Sequence, residues 1–411
     1  MIEIDGGERN ACLMNPIALI QVTIAARRTL PPGGPLGSIS GARGPFDKVG
    51  SVPVQSVPVQ ILMGRRDSNP VTLATVAAAT GVSRMTVSNA YSRPDQLSPA
   101  LRERILATAR DLGYSGPDPV GRTLSRGKTG SIGLVSDQPL THAFIDPAGV
   151  QLLHGVAEGC EQRGLGLWLV PQTAGGDTAL VQSALVDGFI LYCTRSDDAR
   201  VDAVRDRGLP HVLIDYARDR GGPVVGIDDA GGAHAAAQHL VDLGHRSFGI
   251  VMPYVAGATT VADAHGAAER HVVAARLTGW CRAIGASGVD PDAVPVAGSD
   301  DGSRRAGRQA AGRLLDHAER PTAILALSDL LALGVLDAAA ERGIAVPARL
   351  SVVGFDDIPE AALAIPPLTT ITQPHRRKGS EAVRLLLDSD DESSVELPVE
   401  LTIRASTAPA P

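Results

Sequence analysis

The tightest constraint on the fold is an alternation that begins near residue 131. The short apolar runs "SIGLV", "GLWLV", "DGFILY", "HVLID", "FGIV", "TAILAL" and "LSVVGFD" are interleaved with amphipathic helical patterns over 148–163, 229–243, 272–285, 304–317 and 329–342. Alternation of this kind builds right-handed βαβ units and parallel sheets. At about 280 residues the segment is large for one sheet, so the pattern predicts two doubly wound lobes with a ligand cleft between them.

Upstream the periodicity is purely helical. Leu73, Val76, Ala77 and Thr80 recur at i, i+3, i+4 and i+7, and Gly81 stops that helix. Ser83 can cap a second helix that buries Val87, Ala90 and part of Tyr91. A third opens at Ser98-Pro99 and buries Leu101, Ile105, Ala109 and Leu112 before Gly113 ends it. Two short helices joined by a Gly-containing turn are a helix-turn-helix signal, and the second is short enough to enter a major groove. Arg84 and Met85 stand at its N-terminal end, with Asn89 one turn later on the same side. Arg bonds guanine bidentately, Asn does so with adenine, and Met touches a thymine methyl. Thr72, Ser83 and Thr86 are small donors at the helix starts, suited to phosphates.

Charge points the same way. The chain carries −7 overall, yet residues 65–130 hold ten Lys and Arg against five Asp and Glu, and the remainder beyond 130 is strongly acidic. A local basic segment on an acidic body confines nucleic-acid contact to that segment. In the linker "VGRTLSRGKTG", Arg122, Arg126 and Lys128 surround one apolar residue, Leu124, in a stretch too short and Gly-rich to be a stable free helix. Two copies meeting over DNA can fold together there and drive Leu124 into a base step as a wedge.

The boundaries expected are a disordered, Gly/Pro/Ser-rich extension over 1–69, a helix-turn-helix domain over 70–116, a hinge over 117–130 and the two-lobed core over 131–411. Met63 is an alternative start of translation. Cys12, Cys160, Cys193 and Cys281 form no Cys-x-x-Cys pair, which argues against a zinc site or a disulfide framework and fits a reducing cytoplasm. The run "MNPIALIQVTIAA" follows an acidic rather than basic stretch, and no apolar span is long enough to cross a bilayer, so neither secretion nor membrane insertion is expected. An enzyme of dinucleotide-binding type is disfavoured because no Gly-x-Gly-x-x-Gly sits between a strand and a helix, and His234, His239 and His245 lack metal-ligand context. Neither metal nor cofactor is expected.

The run "VTLATVAAATGVSRMTVSNAYSRPDQLSPALRERILATARDLGY" and the Arg-x-Leu linker resemble the lactose-repressor/galactose-repressor family of bacterial transcription regulators. The resemblance continues in order through "VDGFIL", "HLVDLGHRSFGIV", "ARLTGW", "PTAILALSDLLALGVLDAAAERGIAVPARLSVVGFDD" and "LPVELTIRAST", so it covers Val71 to Thr407. It implies an α/β chain with an N-terminal three-helix helix-turn-helix domain and a two-lobed core like that of periplasmic sugar-binding proteins, crossed by three chain segments. The partners implied are a near-palindromic double-stranded DNA operator bound by a homodimer in the cytoplasm, at the nucleoid, and a sugar-like effector held between the lobes, without any membrane. Carried over by motif, Arg276 and Asp356 would hold effector hydroxyls, Asp215 would end a strand at the cleft, and Asp329 would support the loop "LSDL". The sequence departs from the family at Ser328, often Asn, and at Gly302, where some sugar-binding members carry a stacking Trp. Phe144 and Trp280 remain as aromatic candidates, with Trp280 at core spacing. If Leu124 is the wedge, Leu124→Ala lowers operator affinity in a mobility-shift titration and leaves effector affinity nearly intact; unchanged operator binding contradicts that role.

Overall fold

The computed structural model describes residues 71–117, 127–172, 178–193, 195, 198–255, 257–388 and 393–411. The N-terminal extension and the linker residues Gly121, Arg122 and Leu124 lie outside the described residues.

Three helices, α1 (Leu73–Thr80), α2 (Arg84–Ser92) and α3 (Pro99–Asp111), share one small core in which Val76, Val87, Ala90, Ile105 and Ala109 are fully buried. Their limits follow local chemistry. Thr72, Ser83 and Ser98 each accept a backbone amide from their own first turn, and Gly81 closes α1 at φ 68°, a conformation that favours glycine. The expected burial of Leu112 does not occur, for it is 37% exposed. It is the C-cap of α3, its amide turned back to Thr108, and Gly113 then redirects the chain so that Tyr114 packs at the core edge, edge-on to Tyr91.

The first lobe is a six-stranded sheet in the order β11-β5-β4-β3-β1-β2, and every pairing in it is parallel. Its strands are β1 (Ser131–Ser136), β2 (Gly166–Val170), β3 (Phe189–Tyr192), β4 (His211–Ile214), β5 (Val224–Ile227) and β11 (Val395–Leu397). The second lobe is a parallel four-stranded sheet, β7-β6-β8-β9, from β6 (Phe248–Pro253), β7 (Val296–Ser299), β8 (Ala323–Ala326) and β9 (Ser351–Val353). A small antiparallel ribbon joins β10 (Thr370–Thr372) to β12 (Glu400–Thr402).

The chain passes between lobes three times: after β5, after β10, and between β11 and β12. After the last passage it stays on the second lobe, where Val352 N donates to Ser406 O at 2.9 Å and Ala410 N to Leu243 O at 2.8 Å. The helices expected from periodicity are present as Pro147–Glu161, Asp229–Asp242, His271–Ala286, Arg304–Leu315 and Asp329–Glu341. Trp280 is buried in the core, as its spacing implies.

The first lobe is stapled by close contact between the helices Pro147–Glu161 and His375–Leu387. A Cβ on Gly379 would lie 2.3 Å from Leu152 O, and one on Gly155 would meet the Arg376 carbonyl. No side chain fits between those backbones. Gly379→Ala therefore forces the helices apart and costs about 1–3 kcal/mol, read as a lower urea midpoint; a midpoint like that of the parent contradicts the packing described.

Candidate functional site

Two regions collect the candidate residues. On α2, Arg84 and Met85 are exposed, Met85 at 69%, while Thr86 and Asn89 are half-buried beside them. The expected phosphate donors also hold the helix starts. Thr72 and Thr75 cap each other reciprocally at α1, and Ser83 Oγ accepts Thr86 N at 3.0 Å while lying 2.8 Å from Thr86 Oγ1. Each of these helix N-termini carries amides without an intrahelical partner and a partial positive charge, and Arg84 is the first residue of α2. Arg122 and Leu124, the linker candidates, lie outside the described residues.

The second region is the interlobe cleft, a cavity of about 120 Å³. Among the described residues, five non-glycines hold positive φ: Cys193, Asp215, Tyr254, Asp356 and Asp357. The first four line this cavity. Left-handed backbone at non-glycine residues costs about 1–3 kcal/mol each, so its concentration at the carboxyl ends of parallel strands marks a functional edge.

A buried polar chain runs through the cleft. Lys378 Nζ, fully buried, donates to Asp215 Oδ1 and to Gln373 Oε1, both at 2.6 Å. Gln373 Nε2 donates to Asp356 Oδ1 at 2.5 Å. Arg276 lies 3.8 Å from the same oxygen, donates through Nε to Asp229 Oδ1 at 2.8 Å and through Nη1 to Leu327 O at 2.6 Å, and stacks on Phe355. Burial opposes the Arg276 charge, but Asp229 and Asp356 outweigh it and hold the guanidinium ionised. Burial likewise raises the Asp356 carboxyl well above its ordinary value, with Arg276 opposing, and raises Asp215 against the pull of Lys378.

At the cleft mouth, Asp137 of the first lobe pairs with Arg270 of the second, with Nε to Oδ2 at 2.9 Å. The Arg270 guanidinium covers the Tyr254 ring at 3.8 Å, and Gln138 Nε2 donates to Tyr254 Oη at 3.3 Å. The Asp137–Arg270 and Gln138–Tyr254 contacts span the lobes directly.

Of the six expected effector residues, Asp215, Arg276, Ser328 and Asp356 line the cavity together. Asp329 does not. It is fully buried, accepts Thr370 Oγ1 at 2.6 Å and Ile358 N at 3.0 Å, and so holds the loop that carries Asp356; burial pushes its carboxyl up to about 6. Phe144 is a correction to the expected lining, being 62% exposed and outside the cavity. It follows a single helical turn, Leu140–Ala143; His142 of that turn and Asp146, four residues further on, line the cavity, and the residue midway between them faces away. Gly302 lines the cavity and brings no ring to it.

Sequence reading missed Gln138, Tyr254 and Gln373, although each lies within two residues of a strand end, where cleft residues of parallel sheets gather. It also missed His375 and Lys378, polar residues on a helix whose burial depends on tertiary packing. The His375 ring nitrogens are buried at the cavity without a hydrogen-bond partner, and His142 Nδ1 is similarly placed. Cys193, the thiol of the cavity, is pushed up to about 12 by burial, with Asp215 adding to the rise, so it stays protonated and a poor nucleophile. The cleft is equipped for binding: oriented acceptors, an anchored cation and orphaned ring nitrogens.

Burial, with Lys378 and Arg276 nearby, holds the His375 ring well below its ordinary 6.5. The native ring therefore resists a proton that the unfolded chain takes up. That stability is present above pH 6.5 and falls with decreasing pH, by up to about 1.4 kcal/mol per unit for one proton. Replacing His375 with Gln should flatten the fall in urea-derived stability between about pH 6.5 and 5; a slope identical to that of the parent contradicts a neutral buried ring.

Comparison with known proteins joins the two regions. The profile of bacterial regulatory proteins of the lacI family matches residues 72–116, and that of the periplasmic binding protein-like domain matches residues 237–407. The HTH-type transcriptional regulator Rv3575c of Mycobacterium tuberculosis is 42% identical over 326 residues, covering 77% of this chain and 90% of the relative. The lac repressor dimer bound to operator and the anti-inducer ONPF superposes with a TM-score of 0.67 at 28% identity, covering 82% of this chain and 99% of the other. The transcriptional regulator CelR in complex with cellobiose gives 0.61 at 29% identity, covering 82% and 99%. The exposed helix-turn-helix face, the two-lobed core and these likenesses identify the chain as a member of the lacI family of bacterial transcriptional regulators, a DNA-binding regulator and not an enzyme.

Proposed function

We propose that the chain is a cytoplasmic repressor that binds its operator as a homodimer, and that a small sugar or related polyol held between the lobes sets operator affinity. The observation that carries the effector class is the set of unpartnered polar groups at the cavity. The neutral His375 ring offers one donor and one acceptor nitrogen, both without a partner, beside the carboxyl groups of Asp146 and Asp356, and neutral hydroxyl groups can donate and accept without importing charge. With about 120 Å³ of space, a single-ring sugar or an open polyol suits the cleft better than a disaccharide. CelR with cellobiose supports a carbohydrate ligand in this fold, and the lac repressor supports operator binding as a dimer.

For the reading of DNA we assign Arg84, Met85 and Asn89 to base edges, and Thr72, Ser83 and Thr86 to phosphate register. A second copy suits the apolar groove beside the helix Asp329–Glu341, where Leu363 and Ile365 are 80% and 95% exposed next to Leu333 and Leu336. Operator control then follows from closure. The Asp137–Arg270 pair gauges the separation of the lobes, and a change in that separation alters the spacing of two hinges across a dimer.

A thermal-shift screen of monosaccharides, polyols and nucleosides tests the reading. A ligand present at one hundred times its Kd adds about 2.7 kcal/mol of stability and raises Tm. Arg276→Ala should abolish that shift and retain salt-dependent DNA binding. If no sugar or polyol moves the melting curve while a nucleoside does, the effector class is wrong.

A further inference from the structure

Asn89 on the reading helix is hydrogen-bonded to Gln96. Gln96 ends the 3-10 turn Pro94–Gln96 that follows α2, and its Oε1 accepts from Asn89 Nδ2 at 3.2 Å. The turn is anchored at both ends. Arg93 N donates to Asn89 O at 2.9 Å, Gln96 N to Arg93 O at 3.1 Å, and Leu97 packs against the small core beside Val76 and Ile105. The backbone of residue 96 is therefore held over the reading helix, and its side chain reaches the one carboxamide on that face.

We propose that Gln96 is a specificity-positioning residue: with its Oε1 turned to α2, which leaves its Nε2 hydrogens for phosphate oxygens, it fixes which way round the Asn89 amide faces the DNA. This rests on the reading of Asn89 as a base contact. An asparagine amide carries one acceptor and two hydrogens, and rotation by half a turn exchanges oxygen for nitrogen at little cost. With one Nδ2 hydrogen engaged by Gln96, the second hydrogen and Oδ1 lie side by side toward the groove. That ordered donor and acceptor complement adenine, whose N7 accepts and whose N6 amino group donates. Turned over, the amide sets its oxygen against N7, acceptor against acceptor, and the match is lost.

In free protein the bond is exposed and contributes little to stability, because water competes for both partners. Inside a groove from which water has been displaced the same bond strengthens. Gln96 thus acts on base choice and not on folding.

The test selects a duplex library, randomised over about 20 base pairs so that two half-sites one helical turn apart can be found, with the full-length chain and four variants. Wild type and Gln96→Glu, which can only accept, should recover adenine at the same half-site position, with Gln96→Glu weaker overall because its charge faces phosphates. Gln96→Lys, which can only donate, should turn the amide over and lose the adenine preference, about tenfold or more, although its added charge favours DNA. Gln96→Met, with neither function, should relax the position, and Asn89→Ala should erase it. All Gln96 variants should melt with the wild type. If the Gln96 variants all recover the wild-type base while Asn89→Ala loses it, the positioning role is overturned and base reading by Asn89 stands. If Asn89→Ala also recovers it, both are overturned.

Discussion

The core is organised around one buried polar run, four charge-assisted hydrogen bonds and one ion pair, from Asp215 through Lys378, Gln373, Asp356 and Arg276 to Asp229. It starts at the end of a first-lobe strand, follows the passage between β10 and the helix His375–Leu387, and finishes at the start of the helix that receives the passage after β5. Two of the three connections between the lobes are therefore tied into one polar structure. The side chain of each member is nearly or fully buried, so deleting one leaves its neighbour without a partner at about 3–5 kcal/mol. Such a structure tolerates two arrangements better than a continuum, because an intermediate opening exposes half-satisfied charges.

Strain and unsatisfied groups lie at the same place. Cys193, Asp215, Tyr254 and Asp356 adopt left-handed backbone around the cavity, and His375 meets it without a partner. These costs are borne by the large cores of the two sheets, which keep the cleft ready for a ligand. The pair between Asp137 and Arg270 closes the mouth directly from lobe to lobe, so that closure has a contribution from the protein itself as well as from what it binds.

How much of this was legible in the sequence depended on whether the cause was local. The helix-turn-helix was legible almost residue by residue, since Ser83, Ser98, Pro99 and Gly81 act within one turn of themselves. The lobes were legible from alternation, and Asp215 and Asp356 from the motifs that carry the family resemblance. Short strands such as Val224–Ile227 and Thr370–Thr372 were not, because three or four residues hold no readable period. Lys378 and His375 looked like ordinary helix residues, and only packing against the first lobe makes them buried cleft groups. Phe144 failed for the converse reason: its chemistry suits a sugar site, yet its position on a single helical turn points it outward. Leu112 shows that an apolar residue at the end of a helical pattern becomes a cap when the chain turns immediately after it.

The central claim is that cleft and operator surface are coupled through the protein, and coupling is reciprocal by thermodynamic necessity. The most direct measurement takes one polyol that raises Tm and determines operator Kd with and without it, then the polyol Kd with and without operator, at one salt concentration. The account predicts the same factor in both directions, clearly different from one. A factor of one, with the ligand demonstrably bound, contradicts it.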